Sequence, residues 1–71
     1  MSEDEILAKK LKAHRIKQGL SQKELARQIG ASTDTIGLIE RQKVKPRLDT
    51  MEKIAEYFGI TLSDLLDTQE D

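Results

Sequence analysis

The 71 residues contain no cysteine, and that one absence removes disulfides, thiolate catalysis and every cysteine-based zinc site. Long apolar runs are missing too: none approaches the ~18 residues of a transmembrane helix, so no membrane contact is expected. The N-terminal Met-Ser-Glu-Asp-Glu is acidic where a secretory signal is basic, which points to the cytoplasm. There is no glycine-rich phosphate loop, internal repeat, low-complexity tract or linker. The expectation is one all-α domain over residues 1–71, with an ordered core at about 3–67 and a polar tail at 68–71. Its size is near the lower limit at which a single hydrophobic core suffices. Without covalent staples, such a domain has to be well-packed helices, an oligomer, or both.

Charge is present in quantity but unevenly placed. Twelve Lys/Arg against thirteen Asp/Glu give a net charge of −1. Residues 9–47 hold eleven of the twelve cations and only Glu24, Asp34 and Glu40, a net +8. The two flanks hold the other ten acids and Lys53, a net −9. A basic middle between acidic ends bears on partners more than the sum does.

Five helices and no strand are legible. Ser2-x-x-Glu5 is a capping box opening a helix over about residues 3–18, with Leu7, Leu11 and His14 on one stripe and Glu5–Lys9 paired outside. Gly19 stops it, and Leu20 folds back on its last turn. Ser21-x-x-Glu24 opens the second helix, with Leu25, Ala26 and Ile29 inward, and Gly30 ends it. Ser32 caps the third, whose inner residues are Ile36 and Ile39. Pro46 biases Lys45 away from helix, leaving a loop from Arg41 to Arg47 with four cations. Asp49-x-x-Glu52, or a start slightly earlier, opens the fourth helix, with Met51, Ile54, Ala55 and Phe58 inward and Gly59-Ile60 at its end. Thr61-x-x-Asp64 caps a short fifth helix carrying Leu62, Leu65 and Leu66, and Asp67–Asp71 is expected to fray.

Residues 21–41 satisfy the spacing of a helix-turn-helix. Ala26 stands where the helices approach most closely, Gly30 supplies the reversal, and Leu25, Ile29, Ile36 and Ile39 fill the angle. Gln22, Thr33, Asp34, Gly37 and Leu38 are left outside, a mixed set with no packing reason for its identity. Major-groove chemistry gives that set a meaning. Gln22 can pair bidentately with adenine, Asp34 can only accept, as from a cytosine amino group, and Leu38 suits a thymine methyl. Thr33 serves a phosphate or a base. Such a face discriminates more than it attracts, so affinity is expected from backbone cations: Lys43, Lys45 and Arg47 first, then Lys23, Arg27 and Arg41. Ser21 and the amides at the starts of the second and fourth helices add anion contacts.

The order GLSQKELARQIG, AS, TIGLIER, KP and TMEKIAEYFGITLSDLL resembles the lambda-repressor-like, Cro/C1-type (XRE) helix-turn-helix family. The likeness runs from about Leu7 to Leu66. It implies a five-helix DNA-binding domain, a bacterial or phage source, a nucleoid-associated location, a double-stranded operator that is near-palindromic, and a homodimer acting as a repressor. It also implies that Gln22 braces the third helix while reaching a base or phosphate. Thr33, Asp34 and Leu38 fall where the family varies its base contacts. Arg15 and Glu40 match an ion pair, as a partly buried carboxylate beside Ile39 requires. Departures from the pattern are Thr33 and Leu38 for basic or amide residues, His14 at a usually aliphatic position, and Gln42 for a frequent glycine, suggesting a looser exit from the third helix.

Pairing is expected through Ile60, Thr61 and Leu62, because Ile60 and Leu62 are more apolar material than a short terminal helix can hide alone; the alternative is that both pack fully inside the monomer. The rival reading is a protein-interaction module, antitoxin-like, that uses the Asp34/Leu38 face. No cofactor, metal or enzymatic activity is expected. His14 is read as a boundary or core histidine lacking further ligands, Asp64 and Asp67 as caps, and Ser21 and Ser32 lack a base to activate them.

Overall fold

In the computed structural model, which describes residues 2–66, four of the five helix starts are capped by a hydroxyl. α1 (Glu3–Lys17) follows Ser2, α2 (Gln22–Ile29) follows Ser21, α3 (Thr33–Glu40) follows Ser32, and α5 (Leu62–Leu65) follows Thr61. Each hydroxyl oxygen accepts from the backbone N–H three residues on, at 3.0–3.2 Å, satisfying a donor that the helix itself leaves unpaired. α4 (Leu48–Phe58) differs, since Arg47 precedes it without a side-chain cap. The helix begins one residue before the Asp49-x-x-Glu52 box, so Asp49 sits inside the first turn. There its carboxylate accepts from the Thr50 N–H at 2.9 Å and complements the positive end of the helix. The expected tail, together with Asp67, lies outside the described residues.

The exits of α1, α2 and α4 share one geometry. Gly19, Gly30 and Gly59 have φ of +70°, +72° and +72°. The amide after each reaches back five residues: Leu20 to the Arg15 carbonyl at 3.0 Å, Ala31 to Ala26 at 2.8 Å, and Ile60 to Ala55 at 3.0 Å. This is the Schellman ending. α3 ends the same way without a glycine, which corrects the expectation of a looser exit. Gln42 takes φ +60°, and the Lys43 N–H donates to the Leu38 carbonyl at 2.9 Å. The hydrogen bonds and the chain reversal impose a left-handed conformation that is unfavourable for a side-chain-bearing residue, by about 1–3 kcal/mol.

The core joins Leu7 and Leu11 of α1 to Leu25, Ala26 and Ile29 of α2, Ile36 and Ile39 of α3, Ile54 and Ala55 of α4, and Leu65 of α5. Leu20, Ala31, Met51, Phe58, Ile60, Leu62 and Leu66 pack around it, half-buried. His14 lies at the boundary of this core, stacked on Phe58 with ring centroids 5.0 Å apart and 24° between planes. Lys10 Nζ donates to the Asp64 carbonyl at 2.9 Å, which fastens α5 to α1. Among the described residues no group of acids and histidines is placed to hold a metal. No described helix is long and apolar enough to cross a membrane.

Relief of the left-handed strain gives a simple test. Gln42→Gly should raise the free energy of unfolding by roughly 0.5–1 kcal/mol, the strain relieved less the entropy glycine adds to the unfolded chain. Urea denaturation of the two proteins measures it, and an unchanged or lowered midpoint would contradict the strain.

Candidate nucleic-acid interface

The angle between α2 and α3 is filled as the spacing requires. Leu25, Ile36 and Ile39 are at most 2% exposed, and Ala26 is equally enclosed where the two helices meet. Beside this apolar contact lies a polar one that reaches across three helices. Arg15 of α1 donates from Nε to Glu40 Oε2 at 2.7 Å and from Nη2 to Glu40 Oε1 at 3.0 Å. Its Nη1 donates to the Leu20 carbonyl at 2.8 Å, in the turn before α2. Gln22 Nε2 then donates to the same Glu40 Oε1 at 3.2 Å. The Arg15 and Glu40 side chains are only 13% and 5% exposed. The hydrogen bond to Glu40 raises the Arg15 pKa above its ordinary value, outweighing the opposing effect of burial. Because the arginine pKa is raised, the guanidinium's share in the pair is fully present below its unfolded value, through neutral pH, and is lost on the arginine side as pH rises through the folded value in strong alkali.

Gln22 is held at the first position of α2 by the cap on that helix. The Ser21 N–H donates to Glu24 Oε1 at 3.0 Å, and the Glu24 N–H donates to Ser21 Oγ at 3.0 Å. The backbone N–H of Ser21, and then its hydroxyl, hold the Glu24 carboxyl below its ordinary 4.5.

One residue of the expected outward face is placed elsewhere. Gly37 is buried, not outward, because Gln22 and Arg41 lie across it. A β-carbon at this position would stand 3.3 Å from Gln22 Oε1 and 3.8 Å from Arg41 Nη2. The outer row of α3 therefore comprises Thr33 and Asp34, both exposed, and Leu38, half-buried. Half-burial of Leu38 shrinks the apolar patch that a protein-docking face would need. Lys23, Arg27, Arg41, Lys43, Lys45 and Arg47 are all exposed, as is the capping Ser21. The Lys43–Leu38 hydrogen bond ties the loop bearing Lys43, Lys45 and Arg47 directly to the last turn of α3. Thr61 is exposed, while Ile60 and Leu62 are half-buried against the core. Sequence reasoning overlooked Leu48 and Val44, 59% and 40% exposed beside those cations; the break in apolar periodicity at 42–47 was their only signal.

Two measurements follow from these contacts. Arg15→Ala leaves the Glu40 carboxylate enclosed and unpaired, so unfolding free energy should fall by about 3 kcal/mol; a loss well under 1 kcal/mol would show that the pair is solvated. The depressed Glu24 pKa adds stability that is present above pH 4.5, the unfolded value, and is lost as pH falls through the lower folded value. Thermal melts between pH 6 and pH 2.5 should therefore converge for wild type and Glu24→Gln at the acidic end. Parallel curves would contradict the capping assignment.

Comparison with known proteins gives the same picture. A helix-turn-helix family model matches residues 11–65. An uncharacterised helix-turn-helix transcriptional regulator of Methanocaldococcus jannaschii is 39% identical over 62 residues, 87% of this chain and 94% of that protein. The cryptic phage CTXphi transcriptional repressor of Vibrio cholerae is 29% identical over 65 residues, which cover 92% of this chain and 59% of the repressor. Among solved structures, the hypothetical transcription factor NHTF from Neisseria superposes with a TM-score of 0.87 at 32% identity, over 93% of this chain and 76% of the other. A helix-turn-helix built on residues 22–40, within a match that takes in nearly the whole chain, places this protein in the Cro/C1-type helix-turn-helix family of DNA-binding transcriptional regulators.

Proposed function

We propose that the chain represses transcription by binding a near-palindromic duplex operator as a homodimer, with α3 in the major groove. The observation that carries this reading is the adjacency of the Thr33–Asp34–Leu38 row to the Lys43–Arg47 loop, which is pinned to α3 by the Lys43–Leu38 hydrogen bond. The row offers an acceptor, an apolar contact and a hydroxyl to base edges, and Gln22 stands beside it. The loop cations, with Lys23, Arg27, Arg41 and the Ser21 cap, take the phosphates. A helix of eight residues reads only a few base pairs, so a selective site calls for two copies, about one helical turn apart. Ile60, Thr61 and Leu62, at the turn into α5, are the proposed contact between copies. Repression is favoured by the Vibrio relative, a repressor by name.

The electrostatic part is measurable without knowing the regulated gene. With about four phosphates neutralised per subunit, the log–log dependence of affinity on salt should have a slope near −7 for the dimer. Lys43→Ala with Lys45→Ala should weaken all duplexes about equally and flatten the dimer's slope by roughly two per substitution, since each lysine occurs twice in the dimer. A slope shallower than about −2 on a selected duplex contradicts the phosphate grip. Sedimentation showing only monomer, with and without that duplex, contradicts the dimer.

A further inference from the structure

Glu40 accepts three hydrogen bonds, two from Arg15 and one from Gln22. An ionised carboxylate has no proton to donate, so the group of Gln22 that meets it has to be the amide nitrogen. The carboxamide is thereby oriented, with its nitrogen on Glu40 and its oxygen on the far side. That oxygen lies over Gly37, where a β-carbon would be 3.3 Å from Oε1 and 3.9 Å from Cδ. Gly37 is inside α3 and is not among the residues of positive φ, so its backbone conformation does not call for glycine. Glycine there weakens the helix relative to alanine. What it supplies is room, first for the Gln22 amide oxygen, the one group a β-carbon would crowd, while the Arg41 guanidinium at 3.8 Å would be in ordinary contact. Position 37 is also i+4 from Thr33 and i+3 from Asp34, so the Gln22 oxygen stands beside the same outer row.

We propose that Gly37 is a specificity-determining position: its missing side chain lets the Arg15–Glu40 pair hold the Gln22 amide oxygen foremost. Gln22 then selects a base amino group, adenine N6 or cytosine N4, on the strand it faces. Guanine O6 and thymine O4 present acceptors to that oxygen and are disfavoured, while the second amide hydrogen, which Glu40 does not take, can still meet an acceptor such as adenine N7. Asp34 can only accept, so it makes the same demand of a neighbouring base as the Gln22 oxygen does. This inference rests on the DNA-reading function proposed above.

The test has one arm in the free protein and one on DNA. In ¹⁵N–¹H spectra of the free chain, the side-chain amide of Gln22, assigned by its loss in Gln22→Ala, should be shifted from free-glutamine values. Gly37→Ala should move it toward those values while backbone amides away from α3 keep their positions. In selection from random duplexes, wild type should enrich adenine or cytosine at one position per half-site. Gly37→Ala should relax that preference and weaken the selected duplex about tenfold, the scale of one lost base contact, with no further effect in a Gln22→Ala background. Gln22→Met, of similar length but with neither the amide donor nor its acceptor, should lose the same preference and serves if the alanine variant does not fold. Guanine or thymine at that position, or a Gly37→Ala protein with amide and preference unchanged, overturns the inference alone. A shifted amide with no duplex enriched overturns the DNA reading and the base assignment with it.

Discussion

The Glu40 carboxylate joins parts of the chain that are far apart in sequence: Arg15 near the end of α1, Gln22 at the start of α2, and the last turn of α3. Through Arg15 it also reaches the Leu20 carbonyl between α1 and α2. At 5% exposure this carboxylate has lost most of its water, and only a bidentate guanidinium with a further donor compensates such a loss. Pairs of this kind add little net stability compared with apolar packing of the same volume. What they do add is geometry, since each partner has one arrangement that satisfies it. The apolar contact at Ala26 sets how closely α2 and α3 approach, and the carboxylate sets how the exposed side chains of the two helices stand relative to each other.

On the function proposed above, affinity and selectivity are divided between two neighbouring features that share a backbone. α3 carries the mixed row, and the hydrogen bond from Lys43 to Leu38 continues it without slack into the cationic loop. Holding that exit shut requires Gln42 to sit at φ +60°, a conformation taken by glycine at the other three exits of the same form. Strain retained at this one junction fits a loop whose position relative to α3 matters more than a fraction of the fold's stability.

Much of the fold was legible because its determinants are local. The caps at Ser2, Ser21, Ser32 and Thr61 and the stops at Gly19, Gly30 and Gly59 each act within a turn of helix, and the inward stripes follow from helical period. The Arg15–Glu40 pair was not local, and only the likeness to the family suggested it. Gly37 was misplaced because helical period puts it on the flank of α3, and nothing in the sequence says that Gln22 folds across it. Gln42 was misjudged for a related reason: propensity opposes a left-handed glutamine, and the reversal toward Pro46 together with two backbone hydrogen bonds, from the Gln42 N–H to the Ile39 carbonyl and from the Lys43 N–H to the Leu38 carbonyl, overrides propensity. Ile60 and Leu62 looked surplus to a short helix, yet they pack half-buried against the core.

If the ion pair matters for orientation more than for stability, replacing both partners by apolar residues separates the two. The most direct measurement is the ratio of affinities for the selected operator and for random duplex in an Arg15→Met, Glu40→Leu double variant, alongside its unfolding free energy. The expected result is stability close to wild type, unchanged binding to random duplex through the loop cations, and a specificity ratio reduced by about tenfold or more. A folded double variant that keeps the wild-type ratio would contradict the claim that Glu40 organises the reading surface.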